Sequence, residues 1–358
     1  MVNFQNKKTV ANCCHVSILT ILCCIFLSNA KTDVPVFLLS GQSNMTGYGG
    51  VSGLTTDQKR NVDNVKIYMD LVWEGDPSKL RKWLTLGIGF GSKIDSIGPE
   101  LFLGRTLSDS MPGKKIAFIK CSSGSTYLGK VSDWLPPSSN NGTGGNLYNR
   151  MMNSIDVALK SFNTAFDTAQ YTPRWAGFVW LQGEFDAMDK NLSNAYETNL
   201  TNLINDIRAK LKVSDLPVII PMIDVQGAWT NNSIVRAADI AVTKKLKNVD
   251  TLDTKGFSTD GVHYRGQGQV KIGTITAQRW LNMDFNCGPT RIVFPAPFVS
   301  RPENNKQISR NIMFDLSGKR ICSVEDGYSR QHQVSGIFLA KFNQYRRVQG
   351  QKIISFVK

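Results

Sequence analysis

Between residues 34 and 284 the chain alternates short apolar runs with stretches whose apolar positions recur every three or four residues. Residues 36–39, 115–121, 175–181, 216–222 and 249–253 are largely apolar runs near Gly, Pro, Ser or Asn, the pattern of strands buried on both faces. Leu147, Met151, Ile155, Ala158, Leu159, Phe162 and Phe166 share one helical face, and residues 196–211, 234–246 and 267–281 repeat that spacing. Strands alternating with helices require crossover connections. The expected fold is therefore α/β, a five-stranded parallel sheet between two helical layers in a three-layer sandwich. The stretches 46–97 and 122–146 lack either period and read as long loops, which are usually functional. Gly87-Ile-Gly-Phe-Gly91 lacks the strand-then-helix setting of a phosphate cradle and reads as loop.

The pattern changes at both ends. Residues 1–30 have the layout of a secretory signal peptide, with Lys7 and Lys8, an apolar stretch over 16–27 and small residues at 28–30. That stretch is too short to span a bilayer, and no later one reaches the length needed. A secreted protein without a membrane span is expected, with its main domain over 31–285. Pro289, Pro295, Pro297 and Pro302 mark a linker over 286–305. Residues 306–358 show no helical period and read as a small all-β appendage, with strands within 310–324, 336–342 and 351–357.

Charge and cysteines refine this outline. The formal net charge is +14. Residues 286–358 hold twelve Lys/Arg against four Asp/Glu, a net +8, and Lys7 and Lys8 add +2, which leaves +4 on the main domain. The basic excess thus belongs to the tail, which has no nucleic-acid-binding motif. A basic tail can be drawn to anionic polymers or cell walls. Beyond the signal only Cys121, Cys287 and Cys322 remain, an odd number that allows at most one disulfide. No metal-ligand spacing is present, and neither a metal nor a cofactor is expected.

The candidate chemistry starts at the end of the first apolar run. Val36-Phe-Leu-Leu-Ser-Gly-Gln-Ser-Asn-Met45 leaves the Ser43 hydroxyl at the carboxyl end of a strand, where open α/β sheets bind ligands. Serine is inert until a base activates it. Of the three histidines, His15 lies in the signal and His332 in the tail, so His263 is the one left for the main domain. It follows Asp260 by three residues, as an orienting carboxylate requires. Alone, each piece is more often an ordinary turn; together they point to a serine hydrolase. Glu184 and Asp186, two residues apart, could suggest a glycosidase pair, but that leaves Ser43, Asp260 and His263 unexplained.

Gly41-Gln-Ser-Asn-Met45, Gly98-Pro-Glu100, Trp180-Leu-Gln-Gly-Glu-Phe-Asp186 and Asp260-Gly-Val-His263 occur in the order of the SGNH hydrolase superfamily. The chain resembles most its sialate-O-acetylesterase-like carbohydrate esterases, the branch of the family-six acetylxylan esterases. The resemblance implies a flavodoxin-like fold and metal-free removal of acetyl groups from sugar hydroxyls. It implies Ser43 as nucleophile, His263 as base and Asp260 as its partner. The oxyanion hole would comprise the N–H groups of Ser43 and Gly124 and the Gln182 side chain. Gln42, Asn44, Glu100, Glu184 and Asp186 would support them, with Glu100 serving either its helix start or the block around Ser43. Ser123-Gly-Ser-Thr126 departs from the Gly-Gly-Thr usual in the second block. Some of Trp73, Trp83, Trp134, Trp229, Tyr48 and Tyr127, all read as loop residues, are expected to line the site. The tail resembles, more loosely, the C-terminal sorting domains of type-nine secretion substrates; a glycan-binding or cell-wall module is the alternative.

The expectation is thus a secreted serine esterase that deacetylates xylan or related plant polysaccharide or oligosaccharide. Through its tail it would meet secretion machinery or a cell wall, and nucleic acid is not a partner. A lipolytic SGNH esterase and a non-catalytic glycan-binding or adhesion protein are the rivals.

Overall fold

The computed structural model describes residues 31–72, 74–224 and 227–283, together with three short strands further on. Seven strands form one sheet: β1 (Thr32–Gly41), β2 (Val62–Leu71), β3 (Trp83–Leu86), β4 (Ile116–Ser122), β5 (Tyr171–Leu181), β6 (Val218–Pro221) and β7 (Val249–Leu252). Their order is β3-β2-β4-β1-β5-β6-β7, and only the β2–β3 pair is antiparallel. The five strands expected from sequence are β4, β1, β5, β6 and β7, in the order of a doubly wound sheet. The count of five is corrected to seven, because β2 and β3 arise from the stretch read as loop.

The reason β2 escaped is its polarity. Asp63, Asn64, Lys66 and Asp70 interrupt its apolar residues, and the run looks like neither a buried nor an alternating strand. Only the folded neighbours make Asp70 tolerable inside. Ser154 Oγ donates to one of its oxygens at 2.6 Å, while Arg150 and Arg81 donate to the other at 2.6 and 3.1 Å. Burial favours the neutral acid, yet these bonds hold the carboxyl below its usual range.

Five helices cover the sheet: α1 (Glu100–Ser110), α2 (Asn146–Lys160), α3 (Lys190–Leu211), α4 (Asn232–Lys245) and α5 (Gly266–Asn282). Alternate residues of β1 point to opposite faces. Phe37 and Leu39 pack with Leu101 and Leu107 of α1 and Ile272 and Trp280 of α5. Val36 and Leu38 pack with Met151 and Ile155 of α2, Leu203 and Ile207 of α3, and Val235 of α4. Each such buried side chain contributes about 1.5–3 kcal/mol relative to its exposed state. The three layers follow from this two-faced burial. Among the described residues no helix is long and apolar enough to cross a membrane.

β1 and β5 run side by side to Gly41 and Leu181, whose carboxyl ends mark the switch in winding direction. Gly41 has φ +147°, and a Cβ there would lie 2.0 Å from the Leu181 carbonyl oxygen. Glycine alone fits, and the chain can turn there directly after the strand.

Further along, Asn311–Asp315 pairs antiparallel with both Arg320–Val324 and Ile337–Ala340. The signal segment, the linker over 286–305 and the expected strand over 351–357 lie outside the described residues.

Candidate active site

At the end of β1, Gln42 caps a one-turn helix, Ser43–Thr46. The Gln42 carbonyl accepts from Met45 N and Thr46 N at 2.9 and 2.8 Å, and Gln42 N donates to Leu181 O at 3.0 Å. Ser43 is the first residue of that turn, so its N–H has no acceptor within it. Beneath the turn lies a fully buried ion pair. Lys120 Nζ, from β4, donates to Thr46 O at 2.9 Å, Phe90 O at 2.7 Å and Glu100 Oε2 at 2.7 Å. Glu100 Oε1 accepts from Gly98 N at 2.8 Å. Burial pulls the Lys120 pKa down, and the Glu100 charge opposes it. Glu100 therefore reaches the Ser43 turn through Lys120. Nothing in the sequence separates that lysine from other strand residues.

Asp260 and His263 lie in a turn just before α5. Asp260 Oδ1 accepts from Val262 N at 2.9 Å and His263 N at 2.8 Å, while Asp260 N donates to His263 O at 3.0 Å. The carboxylate thus closes the turn on the backbone of the histidine. Burial raises its pKa, but these N–H groups outweigh it and keep the group ionised. Burial also lowers the His263 pKa, against the opposing charges of Asp260 and Glu74. Among the described residues no hydrogen bond joins Ser43 Oγ to the imidazole, or the imidazole to Asp260; such contacts often tighten only with substrate bound.

Asn44 ties the two segments together. Its Nδ2 donates to Glu184 Oε1 at 2.6 Å and Val262 O at 3.3 Å, and its Oδ1 accepts from Tyr264 N at 3.0 Å. Gln269 Nε2 of α5 adds a bond to Asn44 O at 3.1 Å. One side chain thus holds the serine turn, the histidine turn and the loop after β5 in register. Burial pushes the Glu184 carboxyl up to about 7, with the Asn44 bond working against it.

Gly124 flanks Ser43 from the loop after β4: a Cβ on it would sit 3.5 Å from Ser43 Cβ. No acceptor for its N–H occurs among the described residues. Gln182, expected as an oxyanion donor, lies fully buried behind these groups. Its Nε2 already donates to Asp186 Oδ2 at 2.7 Å, Thr126 O at 2.9 Å and Gln42 Oε1 at 3.3 Å. An amide has two N–H groups, and both are committed. Asp186 also accepts from Leu128 N and Gly129 N at 2.8 and 3.0 Å, tying the loop after β4 to the loop after β5. Its pKa is pushed up to about 6, chiefly by burial.

Of the aromatic residues expected near the site, Tyr48 is there, while the reading of Trp83 as a loop residue needs correction. Trp83 belongs to β3, and Trp83, Trp134 and Trp229 are all buried in the core. Trp134 is fully covered because its indole N–H finds Thr126 Oγ1 at 2.8 Å. Trp73 lies outside the described residues. Tyr48 does reach the site, stacked on His263. Glu74, whose carboxylate accepts from Tyr48, was missed by the sequence reading, since a lone glutamate in a loop carries no pattern. Cys121 is a free, buried thiol whose pKa burial raises to about 12.

A doubly wound sheet with serine and histidine turns clamped at one carboxyl edge is the framework of an ester hydrolase. The chain belongs to the family of carbohydrate esterases described as sialic acid-specific acetylesterase, whose profile matches residues 33–282. Membership makes it a carboxylic ester hydrolase of acetylated carbohydrate. A probable carbohydrate esterase of Arabidopsis thaliana is 27% identical over 263 residues, covering 69% of this chain and 90% of that protein. The X-ray structure of that Arabidopsis protein superposes with a TM-score of 0.53 at 22% identity, covering 69% of this chain and 97% of the other. NanS matches with a TM-score of 0.50 at 15% identity over 70% of this chain and 95% of its own. A carbohydrate acetylesterase of Xanthomonas citri gives 0.50 at 14%, over 79% of this chain and 65% of its own. At these identities the structures speak for the fold alone.

Proposed function

We propose that this protein is a secreted, serine-dependent carbohydrate O-acetylesterase acting on acetylated xylan or related plant polysaccharide or oligosaccharide, without metal or cofactor. His263 takes the Ser43 proton as Oγ attacks the acetyl carbon. The tetrahedral oxyanion is received by the N–H groups of Ser43 and Gly124, neighbouring residues whose N–H groups have no acceptor among the described residues. Protonated His263 then gives its proton to the departing sugar oxygen. A water, activated by the same imidazole, releases acetate from acetyl-Ser43. Asp260 keeps the base in place and balances its charge, and Gln182 braces the hole from behind instead of donating into it. In this proposal residues 31–285 are the catalytic unit, residues 1–30 direct export, and the tail attaches or sorts the protein.

The observation that carries this reading is the Asn44 clamp, which fixes the Ser43 turn against the His263 turn at the sheet edge that Gly41 opens. The test is acetate release from acetylated xylan, O-acetylated sialic acid and a long-chain ester, by wild type and by Ser43→Ala. Xylan should be the best of the three, and Ser43→Ala should lose activity by about 10⁴-fold or more. A preference for sialic acid would overturn the xylan assignment, and an active, folded Ser43→Ala would overturn the serine mechanism.

A further inference from the structure

The proton path above makes no use of two side chains beside the base. Tyr48 lies flat on the His263 imidazole, with ring centroids 4.0 Å apart and planes 6° from parallel. Its hydroxyl donates to Glu74 Oε1 at 2.6 Å. Glu74 stands across Gly124 from the nucleophile, since a Cβ on Gly124 would meet Glu74 Oε1 at 2.9 Å and Ser43 Cβ at 3.5 Å. The other oxygen, Glu74 Oε2, is buried and has no hydrogen-bond partner among the described residues.

We propose that Tyr48 and Glu74 form a second support for the catalytic base, Tyr48 holding the imidazole in its plane and Glu74 supplying charge that stabilises the imidazolium. This rests on the serine-esterase reading of the site. Both are positioning residues: the proton still moves from Ser43 Oγ to His263 and on to the sugar oxygen. Asp260 spends one oxygen on two backbone N–H groups, which leaves room for a second carboxylate to share the charge. An aromatic face attracts a cation by about 0.5–2 kcal/mol, more when water is excluded. A phenol whose proton is held by a carboxylate is the more electron-rich partner. Glu74 Oε2, unpartnered while the imidazole is neutral, gains once the imidazole becomes a cation. An interaction stronger in the transition state than before it raises kcat.

Among the described residues the charged groups around the imidazole are few. Asp260 lies on its own turn with Arg265 just beyond, Glu74 approaches from the side of Tyr48, and Lys120 lies within range of Glu74. Glu74 and Asp260 both raise the His263 pKa against its burial, so neutralising either should lower it.

The test uses the full chain with Glu74→Gln, which keeps the acceptor and removes the charge, and Tyr48→Phe, which keeps the ring and cuts the tie. His263 is titrated by NMR, its resonances assigned with His263→Gln, and kcat and KM are followed against pH on a soluble acetyl ester. Glu74→Gln should lower the His263 pKa by about half a unit and move the acid limb of kcat/KM the same way. It should cut kcat about tenfold with KM nearly unchanged. Tyr48→Phe should shift the titration less, in the same direction. An unmoved His263 titration in folded Glu74→Gln, or a loss confined to KM, would overturn the proposal. The NMR titration needs no turnover, so it still reports on the pair if wild type proves inactive on every ester or indifferent to Ser43→Ala. In that case it is the esterase reading that has failed.

Discussion

His263 is where sequence and environment pull apart most clearly at the scale of single residues. A histidine beside two carboxylates is expected to hold its proton more tightly than usual, yet burial dominates here and lowers its pKa. In the proposed mechanism His263 must be neutral to accept the Ser43 proton. The acid limb of kcat/KM should therefore fall below the ordinary histidine range, and the enzyme should stay active in mildly acidic medium. A pH profile on a soluble ester checks this; a limb above the ordinary value would mean the carboxylates outweigh burial. Gln182 is the second residue whose neighbours decide its role. Because both its N–H groups are already bonded, Gln182→Ala should lower stability and kcat together. A clean loss of kcat of about 10²–10³-fold in an equally stable protein would restore it as an oxyanion donor. Thermal melts beside the kinetics separate the two.

Between elements, the buried Lys120–Glu100 pair does what a hydrophobic contact could not. Lys120 of β4 satisfies the Thr46 carbonyl at the end of the Ser43 turn and the Phe90 carbonyl of a long loop, with Glu100 at the head of α1 as counter-charge. Removing one member leaves the other charge buried without a partner. Lys120→Met should cost about 3–5 kcal/mol, whereas Lys120→Met with Glu100→Gln should recover part of the loss. Chemical denaturation of the two variants measures the difference. Equal stabilities would show that the carbonyl contacts, not the charge pair, dominate.

For the whole molecule, two expectations concern pH and the tail. Glu184 and Asp186 sit behind the site with pKa values raised by burial to about 7 and about 6, and Asp239 is raised in the same direction. Each holds its proton more tightly folded than unfolded. The stability they allow is complete below the unfolded carboxyl pKa and is lost as pH rises through the folded values. The melting temperature should therefore decline from pH 5 to pH 8, and Glu184→Gln should flatten the decline by an amount on the order of 2 kcal/mol. A melting temperature independent of pH over that window would contradict the assignment. A chain ending at Asp284 retains all seven strands of the sheet and every site residue. It should hydrolyse a small acetyl ester at close to the full-length rate. Any attachment to insoluble acetylated xylan through the tail, with its net +8, should weaken in salt. Insolubility, or loss of activity on the small ester, would make the tail part of the catalytic unit.

The sequence by itself determined the five central strands, the helices between them and the points where Ser43 and His263 leave the sheet. Those follow from local pattern: near-continuous apolar runs, helical spacing, and small polar residues after a strand. Strand β2, paired on both sides, was not legible, because Asp70 becomes tolerable only when Ser154 and Arg150, distant in sequence, converge on it with Arg81. The same is true of the Asn44 clamp, the Lys120 staple and the Tyr48–Glu74 pair, each joining segments that local periodicity cannot relate. Buried polar groups must find partners wherever the chain brings them, and that search is settled by the tertiary structure. For this protein the sequence picked out Ser43 and His263 as candidates, and the tertiary structure decided what holds the turns that carry them.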